Sequence, residues 1–158
     1  MDELRQALQA AAAEEQELVF GSFTNEEALA LGLALVERAL SRGQPVAVDV
    51  ERAGQLLFHH AMAGTTPDNR SWIERKKRAV NRWRRSSWAL GLANRIKGRT
   101  LAEALGPAAA DYADHGGCFP VVVRGLGFVG TVTVSGLPQK EDHDLVVEVI
   151  RAFLARRA

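Results

Sequence analysis

The chain reads as an α+β protein: an antiparallel four- or five-stranded sheet flanked by helices, in a single compact domain over residues 1–158. Two pairs of β-branched runs predict the sheet, VAVDVER with QLLFHHAMA and FPVVVRG with FVGTVTVSG, each pair joined by a short glycine-bearing turn as in a hairpin. Helical segments lie before, between and after the pairs, without the strand-helix-strand alternation of a parallel sheet. The length suits one domain and buries about two-thirds of the surface an unfolded chain exposes, so no staple is needed. The lone cysteine, Cys118, excludes an intrachain disulfide and a CxxC motif.

Residues 3–16 are rich in Ala, Glu, Gln and Leu and place Leu4, Leu8 and Ala11 on one helical face. Residues 18–23 suit a brief edge strand or an irregular linker. Thr24 or Asn25 then caps a second helix, with Glu26 and Glu27 in its first turn, and Leu29, Leu33, Val36 and Leu40 recur at helical spacing as its expected buried stripe until Gly43. Pro45 opens a strand in which Val46, Val48 and Val50 face one way and Ala47, Asp49 and Glu51 the other. Ala53-Gly54 turns the chain back. A basic helix is expected from about Ser71 to Ser86, continuing or resuming through Trp88 to Ile96, with Gly98 closing it. Thr100 and Glu103 form a capping box for LAEAL, which stops at Gly106-Pro107. The second hairpin follows Cys118, and Pro138 starts a final helix that buries Leu145, Val149 and Phe153, with Glu141 and Asp142 near its positive end.

Composition narrows the function classes. The net charge of +1 makes neither nucleic-acid binding nor an acidic tail a whole-protein property. Acids at positions 2 and 3 and the lack of a basic-then-apolar leader argue against a secretory signal, and no apolar run reaches the roughly 20 residues of a membrane span. A soluble, cytoplasmic protein is the expectation.

GLGFVG, residues 125–130, matches G-x-G-x-x-G, but it lies between two strands and does not lead from a strand into a helix, so it reads as a hairpin turn. Eleven of the 20 basic residues fall between Arg70 and Arg99, opposed only by Glu74, which raises polyanion binding. Projection at 100° per residue places Trp72 and Trp83 toward the core and most arginines on the far side, so specific nucleic-acid binding is not expected. Lys76 alone projects into the apolar stripe between Ile73 and Val80, which leaves two readings: a salt bridge, with Asp49 as partner, or a ligand-facing amine. The GTTPDN turn supplies Asp68 or Asn69 as a cap and offers Thr65 and Thr66 beside unpaired helix amides, a place for an anionic group. His59 and His60 face opposite ways and no HxH or HxxxH spacing occurs, so no metal site is expected. His115, in the glycine-bearing loop HGGCFP, is the candidate for a single axial haem ligand. Cys118 reads as a buried structural thiol. TVSGLPQKEDH has the form of a strand-to-helix anion site, but Glu141 and Asp142 already offset the helix dipole.

Taken together, GTTPDN, W-I-x-R-K-K, R-S-S, HGGxFP and TVSGLPQxEDH resemble the haem-degrading-domain (HbpS/GlcG-like) family, in its uncharacterised branch, over residues 15–154. The resemblance implies an antiparallel sheet flanked by helices, association into homo-oligomers, and haem as a possible cofactor. Val134, Ser135, Gly136 and Asp142 are the residues shared with the wider family. The expected function is therefore binding of a small planar or anionic ligand, haem first, by Thr65, Thr66, Asp68, Asn69, Lys76 and His115. The alternative is a non-enzymatic oligomeric interaction protein.

Overall fold

Strict alternation along residues 46–51 decides the architecture, because it gives strand β1 (Ala47–Arg52) one valine face and one polar face. The computed structural model describes residues 1–157 and sets β1 inside a four-stranded antiparallel sheet of order β2-β1-β4-β3. Strand β2 (Gln55–Ala61) returns through Ala53 and Gly54, both left-handed at φ 49° and 80°, which matches the twist of a tight hairpin. Strands β3 (Cys118–Val123) and β4 (Gly127–Ser135) form the second hairpin, with Gly125 and Gly127 at positive φ between them, so GLGFVG is a turn. Asp49 lies opposite Thr133, Glu51 opposite Thr131, and Cys118 opposite Thr133 from the other side. Facing residues share a side of the sheet, so these groups form one polar face and the valines the other.

The helices are α1 (Asp2–Glu17), α2 (Asn25–Ser41), α3 (Pro67–Trp83), α4 (Ser87–Lys97), the short α5 (Leu101–Leu105) with a 3-10 turn after it, and α6 (Gln139–Arg157). α2 and α6 cover the valine face, where Val48, Val50, Val132 and Val134 meet Leu31, Leu35, Val149 and Ile150. α3 covers the polar face, α4 runs beside it, and α1 docks on α4 through Ala11, Leu4 and Leu8 against Trp88 and Leu92. Residues 18–23 form no regular strand; Phe20 makes a single parallel bridge to Val123. No helix among the described residues is long and apolar enough to cross a membrane.

Two expectations about faces and one about helix bounds are corrected. Leu29, Leu33 and Leu40 are exposed, and α2 instead buries Ala28, Leu31, Gly32, Leu35 and Ala39. The small-residue stripe wins because a Cβ at Gly32 would sit 2.3 Å from the Phe58 ring, so only that side lets the helix approach β2. Trp72 and Trp83 are half-buried and lie under their own arginines, Arg75 at 4.1 Å and Arg82 at 4.9 Å, while Trp88 is the buried tryptophan. The basic helix starts four residues before Ser71 and stops at Trp83, because Pro67 suits a first helical position and Arg84 turns left-handed at φ 59°.

Candidate functional site

The polar sheet face explains why α3 buries two consecutive lysines, Lys76 and Lys77. Residues one apart on a helix diverge by about 100°, so the two amines reach different acids. Lys77 Nζ lies 3.1 Å from Asp49, 3.0 Å from Glu51 and 3.1 Å from Glu74. Burial works against its charge, but Asp49 and Glu51 outweigh burial and hold its pKa above the usual lysine value. Asp49 also takes His59 Nδ1 at 3.1 Å. The expected partnership of Lys76 with Asp49 is therefore wrong by one residue: Lys77 occupies that place.

Lys76 reaches the other way. Its Nζ donates to the Val134 carbonyl at 3.1 Å and to Asp142 Oδ2 at 3.3 Å. Asp142 does not lie along the outer side of the α6 dipole but turns inward, and its Oδ1 accepts the Leu137 N–H at 3.0 Å. Burial pushes Lys76 below its usual pKa and Asp142 up to about 6, each against the attraction of the other. Gly117, at φ 133°, makes room for the amine, since a Cβ there would meet the Val134 carbonyl and lie 2.7 Å from Lys76 Nζ.

This pair walls a cavity of about 310 Å³ between the start of α3, the HGG loop and the β4–α6 turn. Asp68, Asn69, Lys76 and His115 all line it, so four of the six residues singled out in the sequence converge. Thr65 and Thr66 do not line it. The Thr65 hydroxyl donates to the Met62 carbonyl at 2.7 Å, and Thr66 occupies the cap position of α3. Neither Asp68 nor Asn69 is the cap itself; Asn69 reaches back from the third helical position to accept the Thr66 N–H at 2.9 Å and donates to the Ser135 hydroxyl at 3.3 Å. The His115 ring lies 4.9 Å from the Trp72 ring. Partial burial, with Lys76, Arg75 and Arg95 nearby, lowers the His115 pKa against the pull of Asp114, which favours a neutral imidazole.

Sequence reasoning did not assign Trp72, Ser135, Gly136, Leu137, Gln139 or Asp142 to the ligand wall. The signal for most of them was TVSGLPQKEDH, set aside because its acids offset the helix dipole. Gln139 Oε1 accepts the Gly116 N–H at 2.9 Å, so this segment also holds the HGG loop in place. Cys118 is fully buried, with the Thr133 hydroxyl 3.1 Å from its sulfur, and burial pushes the thiol up to about 12, as an inert structural residue should show. No group of three or more potential metal ligands occurs among the described residues.

Comparison with known proteins bears on this arrangement. A family model described as "Haem degrading protein HbpS-like" matches residues 23–151, which include every residue of the cavity wall. A UPF0303 protein of Streptomyces coelicolor is 55% identical over 143 residues, covering 89% of each chain. Among solved structures, the Ybr137w protein superposes with a TM-score of 0.89 at 29% identity, over 98% of this chain and 92% of its own. HbpS of Streptomyces reticuli, as a double mutant, gives a TM-score of 0.64 at 25% identity, over 86% of this chain and 87% of its own. The extent of the match and the shared fold place the sequence motifs and the structure in one group: the chain belongs to the HbpS-like family.

Proposed function

We propose that this protein binds a small planar or anionic ligand in the cavity walled by Lys76, Asp142, Trp72 and His115, and that haem is its first candidate. The observation that carries the reading is the contrast between two neighbouring lysines. Lys77 is held charged by three carboxylates, whereas Lys76 and Asp142 sit in a cavity wall with both groups shifted toward neutrality by burial. A pair kept at electrostatic cost beside a cavity is the pattern of a functional site.

Haem fits the wall in kind. The family description names haem, His115 has its pKa lowered by partial burial, which favours the imidazole form that serves as a sole axial ligand, and the half-buried Trp72 indole stands beside it on the wall. Lys76 supplies the positive charge that haem carboxylates require, and Asp68 and Asn69 supply polar groups at the wall. Thr65 and Thr66 act through the shape of the turn. Bound haem would supply redox chemistry at iron; the chain supplies binding, orientation and a buried proton-holding pair.

Titration with hemin, followed in the Soret band, tests the reading. A saturable red shift is expected in the wild type, lost in His115→Ala and weakened about tenfold or more in Lys76→Met, the effect of removing one charged hydrogen bond. No shift in the wild type, or one unaltered by His115→Ala, would sink the haem assignment.

One observation favours homo-oligomer formation alongside ligand binding. Leu29, Leu33 and Leu40 of α2 are 48%, 54% and 66% exposed, a stripe left uncovered among the described residues, and the interface is therefore assigned to α2 and not to the basic helix. Light scattering should give a mass above that of one chain, reduced in L29E/L33E. A monomer at all concentrations in the wild type would overturn this.

A further inference from the structure

The Arg85-Ser86-Ser87 stretch takes no part in the cavity described above, although it belongs to the sequence pattern that marks the chain. It follows Arg84, one of two non-glycine residues at positive φ, a conformation that costs an L residue steric strain. Arg84 is anchored there by the Phe128 ring at 4.3 Å and by its Nε donating to the Asn81 carbonyl at 3.2 Å. The turn ends α3 at Trp83, leaves Ser86 to cap α4 through the Ala89 N–H, and brings Arg85 to a second cavity.

This second cavity, of about 220 Å³, lies between the end of α3, the outer side of α4, and α5. Trp83, Leu90 and Leu101 give it an apolar lining; Arg85, Lys97 and Arg99 give it three cations. Among the described residues none of these three cations lies within 4.0 Å of a carboxylate, although eleven such pairs occur elsewhere in the chain. Glu15 feels the Arg85 charge, but it accepts the Ser86 hydroxyl at 3.3 Å and makes no ion pair with Arg85. The Trp83 ring packs against the Tyr112 ring at 5.5 Å and lies under Arg82 at 4.9 Å. Arg85 is itself half-buried and stands in the cavity wall.

We infer that the second cavity binds a small amphipathic anion, a one- or two-ring aromatic body bearing a single carboxylate, sulfonate or phosphate. The ring body packs against Trp83, Leu90 and Leu101, and the acid group takes the charge of Arg85, Lys97 and Arg99, where guanidinium forks suit such groups. The site differs from the cavity at Lys76 in its charge, with three cations and no carboxylate on its wall where the first has Lys76 beside Asp142 and Asp68.

The probe is 2-naphthalenesulfonate, titrated into the full chain and followed by proton–nitrogen NMR of the three tryptophan indoles. Saturable binding with a shift of the Trp83 indole N–H and none at Trp72 is expected. R85Q/R99Q should weaken it about tenfold or more, as loss of charge-assisted hydrogen bonds does. Naphthalene-2-carboxamide, which lacks the charge, should bind as weakly to the wild type. Lys97→Gln and added salt provide the same test should R85Q/R99Q not fold, and both should weaken binding. No saturation at millimolar probe, equal binding of the carboxamide, or a shift at Trp72 in place of Trp83 would each overturn the inference.

Discussion

Replacing Lys76 with methionine is expected to destabilise the protein by about 3–5 kcal/mol near pH 8, and Asp142→Asn to cost a similar amount, because each leaves its buried partner uncompensated. Both residues are almost wholly buried, so water cannot take over the lost interaction. The double variant K76M/D142N should cost no more than either single variant, a coupling energy of about 3 kcal/mol in a double-mutant cycle. Asparagine is the apt neutral replacement because it keeps an acceptor for the Leu137 N–H, which Asp142 holds at 3.0 Å. Urea denaturation measures the cycle; additive losses would show that the two side chains do not act as a pair. The double variant also separates fold from function, since it should be no less stable than K76M and still bind hemin about tenfold more weakly.

The same pair gives a pH signature. Asp142 is raised from its ordinary 3.8 to about 6, chiefly by burial. A folded-state pKa above the unfolded one means that the stability contributed by the protonated carboxyl is fully present below the unfolded value and is lost as pH rises through the folded value. The loss integrates to about 3 kcal/mol. Stability should therefore fall between about pH 4 and 6 from this group, and D142N should flatten that slope. In K76M the remaining carboxyl is raised further, so its deficit should shrink as pH is lowered toward 6, by about 1.4 kcal/mol for each pKa unit of the additional rise.

Much of this arrangement was legible from local chemistry. The period-2 alternation of β1, the Ala53-Gly54 turn and the glycines before β4 each settle a hairpin without long-range information, and Thr100 with Glu103 announces a cap that forms as read. Choices between equivalent faces were not legible. α2 carries two leucine-bearing stripes, and only the approach of Phe58 to Gly32 decides which one is buried. The tryptophans of α3 read as core because apolar area dominates a helical projection, yet a half-polar sheet face beneath the helix draws in lysines and leaves the indoles at the edge. At the site, the charge of Lys76 in an apolar stripe was visible, but its partner was not: Asp142 lies 66 residues away along the chain, and its inward turn depends on the backbone at Leu137. His115 and Asn69 were found because loop glycines and capping residues carry signals of their own. Trp72 was not, because an aromatic at helical spacing looks the same whether it lines a core or a cavity.

Lys77→Met should cost about as much stability as Lys76→Met, about 3–5 kcal/mol, but for a different reason and with a different signature. Lys77 holds Asp49, Glu51 and Glu74 together beneath α3, and without it the buried Asp49 keeps only His59 at 3.1 Å against two neighbouring acids. Burial already raises the Asp49 pKa in the intact protein, and removal of the cation raises it further. The variant should therefore gain stability relative to the wild type as pH falls, because an acid with a raised folded pKa destabilises the fold only once it is ionised. At the alkaline end the wild type should weaken as pH rises above about 10.5, the ordinary lysine value, through the higher folded value of Lys77, and Lys77→Met should lack that arm. K77M/D49N should restore only part of the loss, since Glu51 still faces the vacated position at the edge of the buried layer. Hemin affinity should be unchanged in Lys77→Met under conditions where it is folded, because its amine reaches the carboxylates of β1 and does not line the cavity. Denaturation across pH, with hemin titration of the same samples, separates the two lysines: a structural residue moves the first measurement alone, and a Lys77→Met variant that kept its stability but lost hemin would reverse the two roles.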